Sequence, residues 1–353
     1  MLIPIAIVAI VVVAWMAKMN SQIQRPDEKE PVEVKKNEDV VLEKEEEDNS
    51  WDIALFGLDA RDKSLKEGNR SDVVMIAHVD GDTKEINIFS IYRDSYVYIP
   101  DKGWDKLTHA YSYGGYETAL STINTNYDLD ISKFVSVNFV ALEDTIDKLG
   151  GIPIDVQQEE VKWINGYMTS LYKECGLNKV QLISGPGEQT LTGAQAVAYC
   201  RIRATAGGDF KRAERQRTVL NEMFKKAKKT DVSTLVSIVN EVTKEIYTNL
   251  ETKEIISLAK DISSYKMKKS EGFPYNVKAA SDWCYADSSQ KLSVDVPTNY
   301  LDDLKKLHEE VLGYKDYEPS SKVKEYAEHL AGYQVATTQA ATTTESGGDS
   351  EGE

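Results

Sequence analysis

Apolar and polar positions change rhythm several times along the chain. Residues 52–58 make a short apolar run ending at Gly57 and Asp59, and 73–79 make a second. Runs of that length predict buried strands. Ile86, Ile88 and Ser90 alternate with outer positions, as do Val135, Val137 and Phe139, which predicts two further strands. Between them, 116–127 and 141–149 have helical spacing, the second stopped by Gly150-Gly151. Thr192 caps a helix over 192–203, and Asp209 stands as the N-cap of a long helix over 210–228. Helical spacing returns at 232–247, 252–265 and 299–312, with a less regular stretch at 273–297. Strands interleaved with helices predict an α/β sandwich; no internal repeat is visible.

The ends of the chain differ from this body. Residues 1–17 are uncharged and almost all apolar, broken by Pro4, near the lower limit for a bilayer-spanning helix. Nothing basic precedes the run, and Ala14-Trp15-Met16-Ala17 is a poor cleavage site, so an anchor is favoured over a signal peptide. The first positive charges, Lys18 and Arg25, follow the span, against the usual orientation bias. Over 26–50 eleven acids outnumber four bases, a composition that stays solvated and extended. The expected organisation is a transmembrane anchor at 1–19, an acidic stalk at 20–50, a folded domain at 51–230, a helical extension at 231–331 and a disordered tail at 332–353.

The net charge of −16 excludes less than its size implies, because most of it lies in the stalk and tail. Residues 201–229 instead hold ten basic side chains against Asp209, Glu214 and Glu222. A basic helix often marks a nucleic-acid surface. Here several basic residues fall on the core side and the body is expected outside the cytoplasm, which argues against nucleic acid. Cys175, Cys200 and Cys284 form no Cys-x-x-Cys, so zinc and redox motifs have no support. Cys175 and Cys200 are either a pair, if the body is outside the cell, or isolated apolar fillers.

The helix after Asp209 carries the sharpest chemical signal. At about 100° per residue, Ala213, Val219, Leu220, Met223, Phe224 and Ala227 form one apolar stripe. Gln216 falls near its middle, Arg212 inside it one turn earlier, and Arg215 at its border, while Lys211, Glu214, Arg217 and Lys225 fall outside. A guanidinium and an amide facing the core are costly unless partnered; a buried ion pair or an anion pocket would satisfy them. Arg201 and Arg203 lie just upstream. Asp59 closes the first strand and Arg93-Asp94 the third, where α/β folds commonly place ligand groups; Arg70-Ser71-Asp72 precedes the second. The inventory suits a diphosphate, with planar donors for its oxygens and hard carboxylates for Mg²⁺.

In order along the chain stand Phe56-Gly57-Leu58-Asp59 with Arg61, Arg70-Ser71-Asp72, Ser90-Ile91-Tyr92-Arg93-Asp94-Ser95 and Lys106-Leu107-Thr108-His109-Ala110-Tyr111 with Gly114-Gly115. Leu149-Gly150-Gly151-Ile152, Leu191-Thr192-Gly193-Ala194-Gln195-Ala196, Arg201-Ile202-Arg203 and Gly208-Asp209-Phe210-Lys211-Arg212-Ala213-Glu214-Arg215-Gln216 follow. This series, over roughly 51–229, resembles the LytR-CpsA-Psr family of bacterial cell-wall proteins. The family typically has Pro where this chain has Tyr92 and often Asn where it has Thr192; neither departure touches a charged position.

The resemblance implies an α-β-α sandwich on a mixed central sheet and a phosphotransferase, single-pass in the cell membrane with its catalytic domain extracytoplasmic. Its substrate would be a glycan on polyprenyl pyrophosphate, with the lipid in a long apolar pocket, and its acceptor peptidoglycan. By resemblance Asp59 and Asp72 are Mg²⁺ ligands, and Arg93, Arg201, Arg203 and Arg212 clamp the pyrophosphate, supported by Arg70 and Gln216; Arg215 and Asp94 border the substrate. No base stands out among Asp59, Asp72 and Asp94, and His109 beside its Tyr-Gly-Gly turn reads as structural. Two alternatives share the same clamp: a polyprenyl-pyrophosphate hydrolase and a non-catalytic envelope regulator.

Overall fold

The computed structural model describes residues 21–26, 33–43, 49–59, 65–174, 181–284 and 287–332. A six-stranded mixed sheet stands at its centre. Across it run β10 (Ile246–Thr248), β7 (Lys133–Asn138), β2 (Ser50–Leu58), β3 (Ser71–Asp80), β4 (Glu85–Ile91) and β11 (Lys266–Phe273). β7 and β2 are parallel, as are β4 and β11; the other neighbours are antiparallel. The four strands expected from the sequence are therefore present and adjacent.

The sheet is covered on both faces, which is why 52–58 and 73–79 read as continuous apolar runs. On one face Phe56, Val74, Ile76 and Phe89 pack with Tyr111, Leu120 and Ile123 of α1 (Leu107–Tyr127). On the other, Leu55, Val73 and Met75 pack with Leu220 of α5 (Gly208–Ala227). α1 starts a full two turns before the expected 116–127 and passes through a break at Gly114 and Gly115. Its early part is held where the Tyr111 hydroxyl donates to the Leu65 carbonyl at 2.8 Å and meets Ser136 Oγ at 2.8 Å.

A second core forms beside the sheet. α2 (Phe139–Lys148), α3 (Gln158–Glu174) and α4 (Gly193–Cys200) enclose Ile146, Ile164 and Val197's neighbours Ala196 and Ala198, together with Ile152 of β8 (Ile152–Val156) and Leu191 of β9 (Gly187–Leu191). Thr192 caps α4 in a capping box with Gln195, as expected. A Cβ on Gly193 would stand 2.1 Å from the Glu143 carbonyl oxygen, so only glycine lets α4 cross α2 here.

Residues 231–331 are not a separate helical extension. α6 (Val232–Val242) and α7 (Thr252–Asp261) are helices, but the expected helix 232–247 ends in a strand, since Ile246–Thr248 pair with Ser136 and its neighbours as edge strand β10. The region also supplies the opposite edge, β11, and the hairpin β12 (Val277–Cys284) and β13 (Asp287–Pro297) where irregular chain was expected. α8 (Tyr300–Lys306) follows. Three-residue strands are too short to show a period, so pairing with an existing strand decides them.

The expected stalk is also partly docked. β1 (Val41–Glu43) pairs with β14 (Lys315–Glu318), and Asn37 donates to the fully buried Asp128 carboxylate at 2.6 Å. Asp128 also accepts from Tyr317 Oη at 2.7 Å and Ser320 N at 2.8 Å. An amide that satisfies a buried carboxylate holds its segment against the solvation that the local charge favours. The expected anchor at 1–19, Cys175 and nearly all of the tail lie outside the described residues, among which no helix is long and apolar enough to cross a membrane. Cys200 and Cys284 are buried free thiols.

Candidate active site

Strand ends and the start of one helix meet at one end of the sheet. β2 and β3 pair regularly to Gly57 opposite Val73, after which Leu58 faces Ser71. Asp72 is the extra residue of that bulge, and a bulge re-aims the side chain it inserts. The Asp72 carboxylate accepts from Arg93 Nη1, just beyond β4. Arg93 Nε lies 3.5 Å from Asp94 Oδ1. Lys106, which ends β6 (Gly103–Lys106, paired with β5, Tyr96–Ile99), reaches the same oxygen at 3.2 Å. Gly57 allows the tight pairing, because a Cβ there would stand 2.8 Å from the Val73 Cβ.

The helix contribution comes from α5. Gly207 at φ 90° and Gly208 at φ 48° turn the chain into it, a left-handed path that favours glycine. Gly207 is the N-cap, and Asp209, expected in that role, lies in the first turn. Its carboxylate accepts from Arg212 Nη2 at 2.9 Å and Arg203 Nε at 3.2 Å. Charge-assisted bonds of this kind outweigh a neutral backbone donor. Arg212 is 4% exposed, and its Nε has no acceptor among the described residues.

The charges form one coupled group. Burial lowers the pKa of Arg212, Asp209 opposes that fall, and the guanidiniums of Arg203 and Arg93 add to it. Burial raises Asp209; Arg212 offsets this and Asp94 reinforces it. For Asp94 burial acts upward, but Arg93, Lys106 and Arg203 together hold it below the usual carboxylate range. Asp295, on β13, donates its backbone N–H to the Asp94 carbonyl at 2.8 Å. Burial, then the charges of Asp94 and Asp209, push its carboxyl up to about 6.

Arg93, Arg203, Arg212, Asp72 and Asp94 are thus brought together. Arg215 does not join them. It is 1% exposed and turns into the second core, where Nε donates to Glu160 Oε1 at 2.7 Å, Nη1 to the Ile202 carbonyl at 3.1 Å and Nη2 to Thr205 Oγ1 at 2.6 Å. This corrects its expected place at the substrate: the guanidinium braces the loop between α4 and α5. Arg201 lies over the rings of Phe139 and Tyr167, at 5.4 and 5.6 Å. Asp59 and Arg70 are exposed neighbours across the strand ends, the Asp59 N–H donating to the Arg70 carbonyl at 3.2 Å.

Three further members of the group have no site role in the sequence analysis. Asp209 reads there as a cap, although an acid three residues before Arg212 shares its helix face. Lys106 stands only as part of a family motif, and Asp295 sits between Val294 and Val296 where an outward strand residue would.

An apolar cavity of about 240 Å³ adjoins the cluster between the sheet and α5. Leu55, Val73, Met75, Leu220 and Met223 are among its walls, with Val242 and Ile246 from the C-terminal region. Gln216, expected beside the arginines, lines it too, its amide 3.5 Å from the Cys200 carbonyl. Burial pushes the Cys200 thiol up to about 12. Gln216 follows Arg212 by one turn, about 6 Å along the axis, so one helix carries both the apolar wall and the cationic end.

Among the described residues no group of three or more His, Cys, Asp or Glu stands together to hold a metal. Asp59 and Asp72, at the ends of paired strands, fit Mg²⁺ only as a partial ligand set, completed by phosphate oxygens and water.

The LytR_cpsA_psr family matches residues 11–305. The chain is 31% identical over 248 residues to polyisoprenyl-teichoic acid–peptidoglycan teichoic acid transferase TagT of Bacillus subtilis (strain 168), covering 69% of this chain and 74% of that protein. It is 30% identical over 265 residues to the TagU transferase of the same description from Enterococcus faecalis, covering 74% and 81%. Among solved structures, the LytR-CPS2A-psr family protein YwtF (TagT) with bound octaprenyl pyrophosphate lipid superposes with a TM-score of 0.53 at 25% identity, over 75% of this chain and 91% of that one.

Proposed function

Because the chain belongs to the LytR-CpsA-Psr family, we propose that it is a membrane-anchored phosphotransferase, moving a glycopolymer from a polyprenyl-pyrophosphate carrier to peptidoglycan outside the cytoplasmic membrane. The observation that carries this reading is the buried Arg212 Nε without an acceptor, beside an apolar cavity on the same helix. Leaving such a donor unmet costs about 1–3 kcal/mol, which an entering anion would relieve. TagT, the relative described above, is named for this transfer, and the octaprenyl pyrophosphate structure bears the matching lipid. The apolar run at 1–17 serves as the anchor in this reading.

In the proposed mechanism the prenyl chain lies in the cavity and Arg93, Arg203 and Arg212 hold the two phosphates. Asp72, Asp94 and Asp209 already orient those guanidiniums, so little rearrangement accompanies binding. An acceptor hydroxyl oxygen attacks the glycan-proximal phosphorus, the bond to the bridging oxygen breaks, and polyprenyl phosphate leaves with the electron pair. Mg²⁺ held by Asp59 and Asp72 would neutralise phosphate charge. The arginines stabilise charge as it develops, the main catalytic resource in phosphoryl transfer.

The test is to incubate the full chain in detergent micelles with a synthetic polyprenyl-pyrophosphate glycan, Mg²⁺ and peptidoglycan fragments. Transfer yields fragment-linked glycan phosphate and polyprenyl phosphate in equal amounts. Free glycan phosphate with an equal amount of polyprenyl phosphate, and no fragment-linked product, establishes the hydrolase instead, and no turnover removes the enzymatic reading.

A further inference from the structure

The site contains a carboxylate that the clamp does not use. Asp72, Asp94 and Asp209 each bind a guanidinium. Asp295 has neither an ion pair nor a side-chain hydrogen bond among the described residues, although it is only 8% exposed. Main chain alone fixes it, through its N–H to the Asp94 carbonyl at 2.8 Å and the bridge between Ser95 and Asp295. The charges that act on its carboxyl are those of Asp94 beyond β4, Asp209 on α5 and Lys106 at the end of β6. Its charge is also felt by the Tyr92 phenol, which packs edge-on against Phe210 of α5.

Position along α5 says which part of a substrate this carboxylate meets. Met223, Leu220 and Gln216 line the cavity, Arg212 comes next, and Asp209 is the far end of the row. At about 1.5 Å per residue, Asp209 stands about 10 Å along the axis from Gln216. Asp295 reaches the site through its main-chain contacts with Asp94 and Ser95 beyond the end of β4, and it is not among the residues that line the cavity. A lipid tail in the cavity directs the glycan-proximal phosphate, and the hydroxyl that attacks it, away from the cavity.

We propose that Asp295 is the general base that accepts the proton of the acceptor hydroxyl, an inference that rests on the transferase reading above. The hydroxyl oxygen bonds to phosphorus, its proton passes to a carboxylate oxygen of Asp295, and the electron pair of the broken phosphorus–oxygen bond departs with polyprenyl phosphate. Ion-paired carboxylates are weak proton acceptors. One without an ion pair, which burial and two neighbouring acids raise to about 6 against the opposing charge of Lys106, is a competent base at neutral pH.

The test compares wild type, Asp295→Asn and Asp295→Glu as full chains in the transfer assay, with polyprenyl pyrophosphate binding measured separately. Wild-type kcat/KM should rise with unit slope through pH about 6, since the protonated carboxyl cannot accept a proton. Asp295→Asn should lower kcat by about 10²- to 10⁴-fold, abolish that limb and leave lipid affinity at the wild-type value. Asp295→Glu should recover part of the rate together with the limb. An Asn variant that keeps both rate and limb overturns the proposal, as does one whose lipid affinity falls in step with its activity. Should the Asn protein unfold, a wild-type profile flat through pH 6 is decisive against it. Absence of transfer by wild type overturns the transferase reading and this inference together, whereas transfer insensitive to Asp295 overturns the inference alone.

Discussion

Replacing Glu160 by Gln should unfold the second core far more readily than a surface change would. Glu160 and the Arg215 side chain are each about 1% exposed, and their 2.7 Å contact is the only ion pair of this guanidinium among the described residues. Glutamine keeps an oxygen for the Gln157 N–H, which the second Glu160 oxygen accepts at 2.9 Å, but removes the countercharge. A buried charge left unpaired costs about 3–5 kcal/mol. For a domain of this size each kcal/mol shifts the melting temperature by about 2–4 °C, so a fall on the order of 10 °C is expected. Urea denaturation measures the loss as a lower midpoint at unchanged slope. The pair Glu160→Leu with Arg215→Met removes both charges and should cost less than Glu160→Gln alone, because apolar replacement of a buried pair is often neutral. A Glu160→Gln loss below about 1 kcal/mol, the range of exposed pairs, would refute the structural role. So would an Arg215→Met protein of wild-type stability whose KM for the lipid substrate rises, since that is the signature of a substrate ligand.

Arg212→Ala should retain the wild-type circular dichroism spectrum while transfer falls by about 10²- to 10³-fold, the usual effect of losing one charge-stabilising donor; wild-type turnover would show that the pocket is misassigned. Leu220→Trp places an indole in the cavity and should weaken polyprenyl pyrophosphate binding while inorganic pyrophosphate binding is unchanged; equal losses for both would separate cavity from lipid. Asp72→Asn should raise the Mg²⁺ concentration for half-maximal rate by more than the 10- to 100-fold typical of losing an outer partner of a metal site, and an unchanged Mg²⁺ dependence would remove Asp72 as a ligand.

The strands at 52–58 and 73–79, and those marked by Ile86, Ile88 and Ser90 and by Val135 and Val137, were legible because each carries a run or an alternation long enough to show its period, though Phe139, read into the last, opens α2. α4 announced itself through the capping Thr192, and α5 through its stripe. Arg93 stands out at a strand end and Arg212 inside a helix stripe, where a guanidinium departs from the local pattern, whereas Arg203 is singled out with them by the family resemblance. Arg215 departs from it equally, and its sequence context does not say whether a buried guanidinium meets Glu160 from α3 or a ligand. Asp295 showed nothing, for its neighbours are those of an ordinary strand.

By itself the amino-acid order determined local matters: periodicity, caps, turns and the family to which the ordered motifs belong. Hydrophobic spacing and side-chain capping act over a few residues, so they can be read within a short window. Tertiary structure alone decided partners. Edge strands β10 and β11, the docking of Asn37 on Asp128, the diversion of Arg215 to Glu160 and the arrival of Asp295 beside Asp94 each join residues far apart in the chain. Burial raises the cost of an unpaired charge and the strength of a paired one together. Which charges meet therefore depends on packing that no local window contains.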